Sequence, residues 1–120
     1  MAETFKSSTK ESALTDINDT NSALYTVPSA NNTVAIVLGL ILANKSTNVI
    51  KSTVKLIKNV GDDAILLKDI AIPNGSTLEM FAGQKLVLQG SDQLRVVSDT
   101  ATSLDVTLSY LEIDNTWHVL

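Results

Sequence analysis

Cysteine is absent from this 120-residue chain, which removes disulfides, thiolate metal sites and thiol nucleophiles together. Aromatic residues make up only 4% of it, so a core must be built from Val, Ile and Leu, and Tyr25, Phe81 and Trp117 are too scattered to form a stacking platform. Arg95 is the only arginine, and 13 acidic residues outnumber 9 basic ones for a net charge of −4. A nucleic-acid surface needs clustered Lys and Arg, and with neither sign clustered no nucleic-acid partner is expected. The longest apolar run, Val34 to Ala43, is half the roughly 20 residues that a bilayer-spanning helix needs. The opening MAETFKSSTKES lacks an apolar h-region, so neither secretion nor membrane insertion is expected. Without export, sequons such as Asn44-Lys45-Ser46 and Asn74-Gly75-Ser76 are chance products of an Asn/Ser/Thr-rich sequence.

What the chain does contain is strand-and-turn patterning. Leu24 to Val27 is a short strand that runs into a Pro-Ser-Ala-Asn-Asn turn. Val34 to Ala43 follows, and its β-branched members Val34, Ile36, Val37 and Ile41 favour the extended state. Ile36 and Leu38 are expected on one face and Val37 and Ile41 on the other, both covered, since an all-apolar strand needs cover on both sides. Lys51 to Lys58 alternates, with Val54 and Leu56 inward, and Asn59-Val60-Gly61-Asp62-Asp63 supplies a hairpin loop. Ala64 to Ile72 ends at Pro73-Asn74-Gly75-Ser76, where Pro pre-sets φ and Gly takes the left-handed position. Leu78 to Phe81, Lys85 to Leu88 and Gln93 to Val97 are short strands, and Ser103 to Ile113 alternates most regularly, with Leu104, Val106, Leu108 and Tyr110 on one face. About eight strands with no amphipathic helix between them exclude parallel crossovers. The expected fold is all-β, an antiparallel β-sandwich of jelly-roll type with an extended N-terminal arm.

Two regions are expected: an arm, residues 1–22, and a β-sandwich domain with a short C-terminal tail, residues 23–120. The arm is rich in Ser, Thr, Asn and Asp and buries too little surface to order itself. A short helix over Glu3 to Leu14 is an alternative that its Ser/Thr content supports only weakly. Phe5, Leu14 and Ile17 are its sizeable apolar groups, spaced like anchors that an extended peptide lays on a partner.

Chemistry-bearing constellations are sparse. His118 is the single histidine and stands in the C-terminal tail, where a triad or a metal site lacks fixed geometry. Asp62, Asp63 and Asp92 sit in loops but lack the spacing of a Ca²⁺ loop. Glu79 and Glu112 are the only strand carboxylates suggestive of a glycosidase pair, and nothing brings them together. Phosphate-binding glycine loops are missing. No catalytic residue, metal site or cofactor is implied.

Three segments, LYTVPSANNTVAIVLGLILANKS, KDIAIPNGSTLEMFAGQKLVLQGSDQLRVVS and SLDVTLSYLEI, carry a resemblance. They resemble, in order and spacing, small tailed-bacteriophage virion proteins built on one β-sandwich. The matching residues are Tyr25-Thr26-Val27-Pro28, Ile72-Pro73-Asn74-Gly75-Ser76, Lys85-Leu86-Val87-Leu88 with Gln93-Leu94-Arg95-Val96, and Ser109-Tyr110-Leu111-Glu112-Ile113. Departures are Ser-Ala-Asn-Asn in place of a glycine-containing first turn, and Ser91 where glycine is common. The resemblance implies a structural part of the particle, in the tail, neck, fibre attachment or head decoration, and covers neither arm nor tail. Outward-leaning Ile57, Leu66, Leu111 and Ile113 give surplus apolar surface, which symmetric copies would bury. The reading is therefore a non-enzymatic virion component, assembled in the host cytoplasm and forming a homo-oligomer, a trimer being favoured. Its arm anchors it to other virion structural proteins. The alternative is a carbohydrate-binding sandwich, which needs Tyr25, Tyr110 or Trp117 exposed on one face.

Overall fold

Aliphatic alternation in the sequence becomes nine strands in a computed structural model that describes residues 2–81 and 84–114. In chain order they are β1 Ala2–Lys10, β2 Ala23–Thr26, β3 Val34–Asn44, β4 Ile50–Ile57, β5 Ala64–Ile72, β6 Thr77–Met80, β7 Leu86–Leu88, β8 Gln93–Ser98 and β9 Leu104–Asp114. Every pairing is antiparallel. One sheet runs β1-β9-β3, with β6 and β7 both paired to the far side of β3, and the other runs β2-β8-β4-β5. The fold is the expected β-sandwich, with β1 added to the strands expected from the sequence.

The two sheets meet through their alternating apolar faces. Ala35, Val37, Leu40 and Leu42 of β3 and Leu104, Val106, Leu108 and Tyr110 of β9 face Ile50, Val54 and Leu56 of β4 and Leu94 and Val96 of β8, all buried. Aliphatic side chains fill this interior almost alone, as the shortage of aromatics requires. Turn chemistry closes the ends. Gly75 adopts φ 67° in the Pro73–Ser76 turn, where the Ser76 N–H donates to the Pro73 carbonyl at 3.1 Å. Asn31 and Asn32 occupy the left-handed region at φ 56° and 50°, so asparagine does at the first turn what glycine does elsewhere.

Val37 and Ile41 do not share a face as expected, and within the described part of the chain β3 is covered on one face only. A bulge between Val37 and Gly39 shifts the phase of the strand, so Val37 and Leu40 both point inward. Leu38 and Ile41 are left on the outer face, 39% and 40% exposed, with no third layer over that sheet among the described residues.

The N-terminal segment behaves as two parts. Residues 2–10 form β1, an unbroken nine-residue ladder on β9 from Ala2↔Asp114 to Lys10↔Val106, with no helix over 3–14. Its register turns Thr4, Lys6, Ser8 and Lys10 toward the sandwich and Glu3, Phe5, Ser7 and Thr9 outward. No β1 side chain therefore enters the core, whose first member along the chain is Ala13. Ordering each residue costs about 1–2 kcal/mol, while a ladder hydrogen bond returns about 0.5–1.5 kcal/mol net. The ladder by itself thus sits near balance, and the Lys6–Glu112 pair and the Ser8 and Lys10 hydrogen bonds are the strand's further ties. Residues 11–22 cross between the sheets and are clamped to both: Ala13 N–H to the Leu104 carbonyl of β9 at 2.7 Å, then on β8 Ser98 N–H to the Leu14 carbonyl at 3.0 Å and Arg95 to the Ile17 carbonyl at 3.2 Å.

Candidate assembly surfaces

The polar side chains that tie the sandwich together are satisfied internally. Tyr25 on β2 donates to Glu112 Oε2 at 2.6 Å, Lys6 Nζ reaches Glu112 Oε1 at 2.9 Å, and the Tyr25 and Tyr110 ring centroids are 4.1 Å apart. Burial pushes the Glu112 carboxyl up, but the hydrogen bonds from Tyr25 and Lys6 and the lysine charge outweigh it and hold the group below the usual carboxylate range. Burial, then the bond to the Glu112 carboxylate, drives the Tyr25 hydroxyl well above the phenol range, so it remains a proton donor. The cluster staples β1, β2 and β9. Glu79 lies elsewhere: it pairs with Ile41 on the outer face, while Glu112 pairs with buried Ala35 on the inner one.

Asp92 is a second staple. Its carboxylate accepts from Lys58 Nζ at 2.6 Å and from the backbone N–H groups of Asn59 and Gln89, both at 2.9 Å. Burial raises its pKa, and the Lys58 and backbone hydrogen bonds together lower it by more. Asp63 accepts from the Lys58 N–H at 2.8 Å inside the hairpin loop. Both are occupied in closing loops, and among the described residues no group of three or more His, Cys, Asp or Glu is placed to hold a metal ion. His118 and Trp117 lie outside the described residues, as does the rest of the C-terminal tail. Among the described residues no helix is long and apolar enough to cross a membrane.

Apolar side chains lie on the outer face of the β1-β9-β3 sheet, several of them exposed. Phe5 pairs with Leu111, Leu111 with Ile36, and Ile36 with Val87, which makes one row across β1, β9, β3 and β7. Phe5 is 75% and Val87 52% exposed. Val34 and Ile113 form the adjoining row, and Leu38 stands beside it at the bulge. The surplus expected at Leu111 and Ile113 is thus found, half-buried within a larger patch. Leu66, by contrast, packs partly against the core. The row was missed in the sequence because Phe5, Ile36, Leu111 and Val87 are far apart along the chain and only the register aligns them.

Among the three arm residues, Phe5 belongs to this exposed row, whereas Leu14 and Ile17 are half-buried on their own chain. Ile17 borders an open cavity of about 270 Å³ between the arm crossing and β4, β5 and β8, walled also by Thr53, Ile65, Val97 and Asp99. No aromatic residue lines it.

No family model and no curated protein matches the sequence. Solved structures do match in shape. A chain from the Bacillus endospore appendages, a family of disulfide-linked pili, aligns with TM-score 0.56 at 10% identity, over 96% of this chain and 88% of that one. A chain of the T13 IBDV viral particle aligns with TM-score 0.51 at 12% identity, over 92% of this chain but only 30% of its own length. At such identities the likeness is one of fold: the same sandwich occurs in subunits of a pilus and of a viral particle.

Proposed function

We propose that this protein is a non-enzymatic structural subunit of a bacteriophage virion. It forms a homo-oligomer through its sandwich and is attached to neighbouring tail, neck or capsid proteins through its N-terminal segment. The observation that carries the reading is the Phe5–Leu111–Ile36–Val87 row, a contiguous apolar strip on a sheet face that no other strand among the described residues covers. Two further points support it: the buried polar groups are all committed to structural bonds, and the fold recurs in repeating subunits of other particles. Without cysteine, contacts between copies cannot be disulfides, unlike those of the disulfide-linked pili. A trimer is the expected closed arrangement. Carbohydrate binding is less well supported, because Tyr25 and Tyr110 are buried against each other and no aromatic lines the cavity. Quantitative mass spectrometry of gradient-purified particles tests the assignment. The protein should be present at a fixed multi-copy ratio to the other virion proteins; its absence from the particles would contradict the assignment.

A further inference from the structure

We propose that β1 is a transferable strand, which leaves its own β9 and completes the sheet of a second copy of this chain. The proposal deepens the reading of the protein as an assembly subunit and rests on it. Four observations carry it. First, the core is complete without β1, since its inward positions are Thr4, Lys6, Ser8 and Lys10 and the core begins at Ala13. Second, the ties that β1 makes go to groups that any copy presents, among them the β9 backbone, Glu112 for Lys6, the Tyr110 hydroxyl for Ser8 at 3.2 Å, and the Asn21 carbonyl for Lys10. A β1 donated from another chain meets an identical slot.

Third, the chain is firmly fixed immediately after β1. Ser12 donates its N–H to Asp105 Oδ1 and accepts from Lys45 Nζ, both at 2.9 Å, and Ala13 onward is clamped to the sandwich. Glu11 is exposed, and Ser12 holds φ 56°, a left-handed backbone that sets the direction in which β1 departs. Rotation at Glu11–Ser12 redirects the whole strand while the rest stays in place, and a strained short connection of this kind favours exchange between copies. Fourth, the other sheet edges are poor templates for pairing. β2 has four residues and a bulge, β6 and β7 are short and separate, and the ladder to β5 has two register shifts with Asp69 at φ 48°. The β9 edge accepts nine consecutive residues without a shift.

The test uses Ser7 and Ser109, which lie directly opposite each other on the outer face. Antiparallel partners have Cα spacings within disulfide reach, and the chain has no cysteine of its own. Ser7→Cys carrying a mass tag is co-expressed with untagged Ser109→Cys, and the assembled oligomer is oxidised. Exchange predicts a reducible band at the summed mass of one tagged and one untagged chain, and a parallel Thr9→Cys with Thr107→Cys pair should give the same band. An oligomer that lacks this band, while each double variant closes its disulfide at monomer mass, overturns exchange but leaves the assembly reading intact. A chain that stays monomeric throughout overturns both.

Discussion

Ser91 shows how one side chain stores cost in this fold. It occupies φ 67° in a turn closed by the Asp92 N–H and the Gln89 carbonyl at 3.0 Å, the position where such turns favour glycine. Replacing Ser91 by Gly should therefore raise stability by about 0.5–1 kcal/mol, read as a higher urea midpoint, although glycine also loosens the unfolded chain. Next to it, Asp92 should be costly to change. An Asn at this position loses the Lys58 pairing and turns an amide N–H₂ toward a backbone donor, so Asp92→Asn should cost about 1–3 kcal/mol at pH 7. The same residue governs acid behaviour. The carboxyls of Asp92 and Glu112 are depressed in the folded state, so their stabilisation is fully present above the unfolded values near about 4 and is lost as pH falls through the folded ones. Urea midpoints should drop between pH 5 and pH 3 in the native protein and drop less in Asp92→Asn. Equal slopes would show that Asp92 is not a main contributor. Asp105 is depressed in the same direction by Lys45 and the Ser12 N–H, but it is half-exposed and solvent screens its share.

Among the elements, β3 separates most clearly the information carried by composition from that carried by pairing. Its extent and its burial at Val37 are evident from β-branched content, and the same logic correctly places Leu104, Val106, Leu108 and Tyr110 inward on β9. The facing of Leu38 is not legible, because a bulge depends on how β3 meets Ser109 and Tyr110, more than 60 residues away along the chain. Leu40→Ala should cost about 2–5 kcal/mol, as a buried truncation does, whereas Leu38→Ala should cost about 1 kcal/mol or less. Equal losses, measured in denaturant at a concentration where the chain is monomeric, would mean that the bulge does not turn Leu38 outward. β1 was hidden for a related reason: Ser, Thr and Lys dominate it, and its strand state comes from the β9 edge instead of its own side chains. The segment after it differs, since Ala13 enters the core and Arg95 and Ser98 find partners at Ile17 and Leu14. Deleting residues 2–10 should leave the melting temperature close to that of the intact monomer. Deleting residues 2–20 should lower stability by about 2 kcal/mol or more, because buried donors lose their acceptors.

For the whole molecule, the sandwich supplies an aliphatic interior, polar groups committed to closing loops and edges, and one apolar strip on an outer face. This arrangement suits a component that is held in place by its neighbours. Exposed Phe5 and Val87, together with Leu38 and Ile41 on the same sheet, give the strip its reach along the face. Association that buries it should respond to substitutions there without loss of the fold, so Phe5→Ser with Val87→Ser should weaken self-association while circular dichroism and thermal midpoint stay nearly constant.

The most direct measurement is the mass of the purified protein by size-exclusion chromatography with multi-angle light scattering, compared with a variant lacking residues 2–10. The structural-subunit account predicts a defined species at a multiple of the 12.8 kDa chain mass for the intact protein, with a trimer favoured, and a shift toward the single-chain mass when β1 is removed. A single species at 12.8 kDa for the intact protein at tens of micromolar would contradict it.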